Sequence, residues 1–164
     1  HKGLLNIWKL FLKEQPNAKL HLFGDGPLRQ EIESLVALDG LQSSVAFCGW
    51  VANPLDYIAK ADVLVLPSII EGLPGVLLEA MYCKTIVVAN NVGGISEIII
   101  PNETGFLAEK GDEEAFASLM KKAIDLNTNN IANQAYNLVE ENFSNEYIAQ
   151  QFEKTYLKIS NEKN

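Results

Sequence analysis

The order of hydrophobic and polar positions along the chain predicts helices and strands in regular alternation. Apolar side chains recur at helical spacing over residues 3–14 and from Leu28 to Leu38, whereas Ala18–Phe23 and Val45–Cys48 are apolar runs of strand length. Downstream, the same signals predict helices at 54–60, 74–82 and 96–100 and strands at 62–66, 86–89 and 105–107. A helix capped by Asp112 is predicted to run to about Leu126, and residues 130–164 are predicted to be helical.

This alternation predicts an α/β fold with a Rossmann-like, doubly wound and mainly parallel sheet. The run Asp62–Leu66 is apolar after its first residue. Such a run is typical of a parallel strand covered on both faces, so we expect this strand to be central. In such sheets ligands bind at the carboxyl ends of the strands, which directs attention to the loops that follow them.

Length and charge limit the kind of protein that the chain can build. A chain of 164 residues with 48% hydrophobic content is the size of one domain, and we expect residues 1–164 to form one. The net charge of −8 disfavours nucleic acid or an anionic membrane surface as a partner. Cys48 and Cys83 lack metal-type spacing and fit free thiols in a reducing, cytoplasmic compartment. No apolar run approaches the length of a membrane span.

The strongest candidate site is the pair of carboxylates Glu71 and Glu79. Glu71 ends a polar loop after the predicted strand 62–66, and Glu79 lies inside the following helix among apolar residues. A carboxylate at such a place needs hydroxyl or amide partners, and ribose hydroxyls would supply them. The alternative is that Glu71 is solvated and Glu79 pairs with Lys84 near the helix end.

The start of that helix offers a place for an anion. The amides of Leu73, Gly75 and Val76 precede the first helical turn, where backbone N–H groups lack acceptors and could hold a diphosphate. Glycines at 72 and 75 permit close approach of a ligand to the backbone. One segment, residues 71–79, could thus bind phosphate, ribose and sugar together.

Two further glycine turns follow predicted strands. The turn Gly24–Pro27 could receive an anion at a helix start, or it could simply reverse the chain. Arg29 stands where a dinucleotide fingerprint requires a third glycine, which disfavours nicotinamide binding. Gly93 and Gly94 could admit a sugar at a neighbouring wall, although Ser96 and Glu97 could equally cap a short helix.

Candidate cations and metal ligands are few. Lys2 could reach a phosphate or could be a solvated charge. His1 and His21 have no companions at metal or nucleophile spacing, and no Asp-x-Asp pair suggests a metal-bridged diphosphate. We therefore expect a site without metal or cofactor. Because the chain opens on His1 and enters a helix at once, we also expect it to be part of a longer polypeptide.

Taken in order, these motifs resemble the C-terminal domain of GT-B-fold retaining glycosyltransferases of family 4, which includes bacterial capsule, lipopolysaccharide and mannosyl transferases. The Glu-x7-Glu spacing of Glu71 and Glu79 is the specific element of this resemblance. The remaining elements are Lys2-Gly3, Gly24-Asp25-Gly26-Pro27, Val45 to Trp50, Ala61-Asp62-Val63, Pro67-Ser68, Gly93-Gly94 with Glu97, and Thr104 to Leu107. The resemblance covers nearly the whole chain.

The resemblance implies a role for each part of the site. Glu79 would bond the ribose of a UDP- or GDP-sugar, and Lys2 would take the position of the phosphate-binding lysine. Glu71 would hold the transferred sugar together with the segment that follows it, namely Gly72, Leu73, Pro74, Gly75 and Val76. The turn with Gly24 and Gly26 would complete the donor site, and the base would rest against the loop Gly49, Trp50 and Val51. Glu71 and Lys2 are the predicted catalytic residues.

The resemblance also implies what surrounds this domain. A GT-B enzyme binds its acceptor in an N-terminal domain, and a phosphate-binding arginine lies upstream in a first strand, both absent here. The half alone is then expected to bind nucleotide weakly and to transfer nothing. Leu73 stands where the family usually has an aromatic residue. A nucleotide-sugar 2-epimerase of the same fold and a non-catalytic module are the alternative functions.

Overall fold

The computed structural model describes residues 2–125 and 128–161, and it contains the expected alternation of helices and strands. The helices are α1 Lys2–Glu14, α2 Arg29–Leu38, α3 Leu55–Ile58, α4 Gly75–Tyr82, α5 Ile95–Ile98, α6 Glu113–Asp125, α7 Asn129–Phe143 and α8 Asn145–Asn161. The strands are β1 Leu20–Phe23, β2 Val45–Gly49, β3 Val63–Leu66, β4 Ile86–Asn90 and β5 Phe106–Ala108. Three parts of the prediction lie outside the described residues, namely His1, the predicted helix end at Leu126, and the predicted helix over residues 162–164.

The strands confirm the predicted α/β class with parallel pairing, but they form two sheets. β1 pairs with β2, and β4 lies between β3 and β5, all in parallel. The expectation that the strand at 62–66 is central is wrong, because β3 pairs with β4 alone among the described residues. All four residues of β3 are half-buried, whereas all five residues of β4 are buried. An apolar run therefore marked a strand correctly but not its place in the sheet.

The core lies on the two faces of the β3–β4–β5 sheet. Ile86 and Val88 of β4 belong to one hydrophobic cluster, and Val87 and Ala89 belong to the other, as the period of two in a strand requires. The first cluster contains side chains from α1, α2 and α6 and joins both sheets. The second contains side chains from α3, α4, α5 and α7. Helices thus cover both faces, as in a doubly wound fold.

Specific polar contacts fix the helices to this core. The indole Nε1 of Trp8 donates a hydrogen bond to Ser44 Oγ at 3.1 Å, and Ser44 donates to the carbonyl of Leu41 at 3.1 Å, which ties α1 to the start of β2. At α6 the amide of Ala115 donates to Asp112 Oδ1 at 2.9 Å, so the predicted cap is confirmed. None of the described helices is long and apolar enough to cross a membrane.

Phe116 and Phe152 provide a matched test of this core. Both lie on helices, but Phe116 is on the buried face of α6 whereas Phe152 on α8 is 56% exposed. Phe116→Ala should lower the free energy of unfolding by roughly 3–5 kcal/mol, because it removes buried apolar area and leaves a cavity. Phe152→Ala should change it by less than about 0.5 kcal/mol. Urea denaturation followed by circular dichroism measures both, and equal losses in the two variants would contradict this assignment of the core.

Candidate functional site

The loop after β3 lies directly against the turn after β4. We call residues 67–74 the β3–α4 loop and residues 90–94 the β4 turn. The amide of Gly94 donates to the carbonyl of Gly72 at 2.9 Å, and the side-chain Nδ2 of Asn90 donates to the carbonyl of Ser68 at 3.2 Å. Neighbouring parallel strands end at the same edge of their sheet, so the loops that follow them meet there. The half-buried Glu71 lies between the two bonded carbonyls.

The possibility that Gly93 and Gly94 could admit a sugar finds no room at the positions where their side chains would stand. A Cβ atom at Gly93 would lie 1.9 Å from the carbonyl oxygen of Glu71, and one at Gly94 would lie 2.8 Å from that of Gly72. The space beside both glycines is therefore filled by the backbone of the β3–α4 loop. The alternative cap by Ser96 or Glu97 is also not formed, because α5 begins after Gly94 without a side-chain cap.

The start of α4 carries backbone amides without acceptors. The residue before the helix is Pro74, which makes no side-chain cap. Within the described residues, the amides of Leu73, Gly75 and Val76 donate no hydrogen bond. Such groups at a helix start carry a partial positive charge and bind anions. A diphosphate at this position stays a prediction.

Glu79 is exposed on the same face of α4 as Gly75, one turn further along the helix. Side chains on a helix lean towards its N-terminus, which in α4 is the end that carries the free amides. It makes no hydrogen bond or ion pair with any part of the chain that the structure describes. The alternative pairing with Lys84 is not formed, because the Lys84 ammonium lies 4.9 Å from the ring centroid of Tyr136 on α7.

Two sets of three glycines differ in what surrounds them. A Cβ atom would meet backbone or packed side chains within 3 Å at Gly93, Gly94 and Gly105. By contrast, Gly26, Gly72 and Gly75 have nothing within 4 Å of that position and no positive φ. Neither packing nor backbone conformation explains glycine in this second group. All of its members belong to the predicted donor site, where a ligand would use the open space.

A second group of predicted residues lies around the start of α2. The amide of Gly24 donates to the carbonyl of Gly49 at 2.7 Å, which joins the loops after β1 and β2. Trp50 follows at 80% exposure, and Val51 is half-buried. The indole is thus exposed beside a glycine turn, and the base expected to rest against this loop stays a prediction.

Charged groups frame this second group. Lys2 Nζ forms an ion pair with Glu31 Oε1 at 2.5 Å, and both side chains are about half exposed. Arg29, which replaces the third glycine of a dinucleotide fingerprint, donates from Nε to Glu33 at 2.8 Å. This hydrogen bond is the main reason that the pKa of Arg29 is raised, and Asp25 adds to it. Sequence reasoning missed Glu31, because nothing in the spacing of two distant charges reveals that they meet.

The two groups of predicted residues are not in direct contact. No hydrogen bond or ion pair in residues 2–125 and 128–161 joins the loops at Gly24, Gly49 and Trp50 to the segment 71–79. Both groups follow parallel strands. The ring centroids of Phe23 on β1 and Tyr57 on α3 lie 5.0 Å apart. Asn90 is the other residue that sequence reasoning left without a role, although a buried amide at a strand end is a detectable signal.

Parallel strands with helices on both faces define the class of doubly wound α/β domains. The family model for Glycosyl transferases group 1 matches residues 1–125. The chain belongs to this family, and its fold is that of the C-terminal half of a GT-B glycosyltransferase, as the sequence predicted.

Three relatives illustrate the similarity. N-acetyl-alpha-D-glucosaminyl L-malate synthase from Bacillus anthracis is 36% identical over 96% of this chain and 42% of its own length. Anabaena HepE in complex with UDP has a TM-score of 0.82 and 27% identity, covering 87% of this chain and 42% of that one. The C-terminal domain of LpcC from Francisella tularensis has a TM-score of 0.76 and 26% identity, covering 87% of this chain and 78% of that one. The chain spans less than half the length of the curated relatives it matches.

The reactivity of Cys83 reports on the charge of Glu79. Burial raises the pKa of the Cys83 thiol, and the nearby Glu79 carboxylate raises it further. Less thiolate is then present at a given pH, and thiolate is the form that is alkylated. Glu79→Gln should increase the rate of Cys83 alkylation by iodoacetamide at pH 8 roughly twofold, a small effect because the site is partly solvated. Peptide mass spectrometry separates Cys83 from Cys48.

The exposed Glu103 provides the control for this measurement. Glu103→Gln removes the same charge from the surface between α5 and β5 and should leave the Cys83 rate unchanged. A rate that is unaltered in Glu79→Gln, or equal in the two variants, would show that the Glu79 carboxylate does not act on the thiol.

Proposed function

We propose that this chain is the donor-binding half of a retaining, metal-independent glycosyltransferase that uses a UDP- or GDP-sugar. The observation that carries the proposal is the exposed Glu79 carboxylate, one helical turn from the free amides of Gly75 and Val76 and without a partner among the described residues. A ribose diphosphate matches both features, because its hydroxyls donate to a carboxylate and its phosphates accept from amides. The UDP complex of the related HepE supports the same ligand class.

Catalysis in this proposal is stabilisation of the leaving diphosphate. As the bond between sugar and phosphate breaks, negative charge develops on the diphosphate, and the amides at the start of α4 and the Lys2 ammonium would interact with it. Glu71 would hold the transferred sugar at the edge of the β3–α4 loop. Attack on the same face of the sugar would retain its configuration. Side-chain and backbone donors take the part that a metal plays elsewhere.

The remainder of the active site would lie outside this chain. We propose an N-terminal acceptor domain and a first strand that carries the second phosphate-binding cation. The support is that β1 and β3 each pair with only one strand among the described residues, while one hydrophobic cluster joins their two sheets. The short coverage of the relatives agrees with a two-domain enzyme. This chain alone would then bind nucleotide weakly and transfer nothing, and the complete cytoplasmic enzyme would act in bacterial polysaccharide or glycoconjugate synthesis.

The ribose contact of Glu79 is tested by removing either partner. In the full-length protein, Glu79→Gln should weaken binding of UDP or GDP about tenfold or more, because a hydrogen bond to a charged group contributes about 1.5–3 kcal/mol. The variant should also bind the ribonucleotide and its 2′-deoxy analogue more equally than the unaltered protein does. Isothermal titration calorimetry with both nucleotides measures the two affinities.

The matched control is Glu103→Gln, which should bind nucleotide as the unaltered protein does. The proposal is wrong if no nucleotide binds to the full-length protein. It is also wrong if Glu79→Gln keeps full affinity and full discrimination against the deoxy analogue.

The ion pair between Lys2 and Glu31 predicts an opposite effect for its acidic member. If Lys2 binds the diphosphate, Glu31 competes with the ligand for the same ammonium. Glu31→Gln should therefore strengthen UDP binding by up to about fivefold, within the range of a surface ion pair, whereas Lys2→Ala should weaken it. Titrations at low and high salt measure this, and the gain should shrink at high salt. Weaker UDP binding in Glu31→Gln would exclude a phosphate role for Lys2.

A further inference from the structure

We propose that the β4 turn is a positioning clamp for Glu71, in which Asn90, Gly93 and Gly94 set the place of the β3–α4 loop relative to the bound sugar. The inference rests on the proposed function, because its consequence is a loss of catalysis rather than of folding. The three residues touch the loop and not the ligand, and therefore act as positioning residues.

Two hydrogen bonds from the β4 turn hold the loop on either side of Glu71. Asn90, which is 5% exposed, donates to the Ser68 carbonyl, and the Gly94 amide donates to the Gly72 carbonyl. Outside the strands, the backbone of residues 68–73 takes part in no other hydrogen bond with the described residues. The loop therefore depends on the β4 turn for its backbone position.

Side-chain burial does not hold the loop in place. Ile69 is 60% exposed and Ile70 is 82% exposed, so the two apolar residues before Glu71 do not anchor it in the core. Contact between the two backbones takes the place of that burial. The Glu71 carbonyl occupies the position that a Cβ atom of residue 93 would take. A Cβ atom at residue 94 would meet the Gly72 carbonyl and the side chain of Leu73.

This contact fixes distances that matter for the proposed chemistry. The clamped residues 71–73 lead directly into Pro74 and the free amides of α4. A shift of the Gly72 carbonyl therefore moves the Glu71 carboxylate and the sugar-facing Leu73 together. Misplacement of a reacting group by about 1 Å can lower turnover by a factor of the order of 100.

Gly94→Ala isolates the close contact. Gly94 has φ −82° and ψ 8°, which alanine adopts without strain, so the variant adds only a methyl group 2.8 Å from the Gly72 oxygen. Gly40→Ala is the complementary control. Gly40 has φ +68° but open space around it, so its variant adds backbone strain without a clash. Asn90→Asp, nearly identical in shape, replaces the amide donor to Ser68 with a carboxylate.

The experiment uses the full-length protein and the substrate it hydrolyses fastest among UDP-glucose, UDP-N-acetylglucosamine and GDP-mannose. Gly94→Ala should keep the Kd for the corresponding nucleoside diphosphate within about twofold and lower kcat at least about tenfold. Asn90→Asp should lower kcat in the same way, and Gly40→Ala should change neither quantity. Equal kcat in Gly94→Ala and Gly40→Ala, or a loss of kcat matched by the loss of diphosphate affinity, would overturn the clamp.

Hydrogen–deuterium exchange separates failure of the clamp from failure of the proposed function. The amide of residue 94, which donates to the Gly72 carbonyl, should exchange at least about tenfold faster in Gly94→Ala than in Gly40→Ala, whether or not a nucleotide binds. If no nucleotide sugar is bound or hydrolysed by the unaltered protein, the proposed function fails and exchange alone judges the clamp. Unchanged exchange of the residue 94 amide would overturn it.

Discussion

The parallel pairing of β4 with β3 and β5 is the interaction on which the rest of the structure depends. Because all five residues of β4 are buried, its side chains divide between the two hydrophobic clusters and fix which helices lie on each face. The same pairing places the ends of β3 and β4 side by side. The β3–α4 loop and the β4 turn are consequently neighbours, and this contact determines the backbone position of Glu71.

The sequence predicted the elements well, because helical spacing and short apolar runs are local properties. It did not predict that β3 pairs with a single strand among the described residues, since the burial of a strand depends on partners that are distant in the chain. The same limit applies to the glycines. Gly72 and Gly93 look alike in sequence, but the first faces open space whereas a neighbouring carbonyl fills the space at the second.

The partners of charged side chains also depend on tertiary packing rather than on local spacing alone. Nearness in sequence at the end of a helix suggested that Lys84 could pair with Glu79. Packing of α4 against α7 instead brings Tyr136 over the ammonium, and the Tyr82 and Tyr136 rings lie 5.5 Å apart beside it. Glu79 is therefore left without an ionic partner among the described residues by a contact that no local pattern encodes, although its position inside the helix was predictable.

The ion pair between Lys2 and Glu31 has a consequence for turnover. A cation that already has an anionic partner does not gain its full attraction when a diphosphate arrives, because one anion is exchanged for another. For the proposed enzyme, the same exchange operates in reverse once the sugar has left. If Lys2 binds the diphosphate, Glu31 would recapture the ammonium as the spent nucleotide departs, which would lower the barrier to product release without weakening the contacts at the sugar.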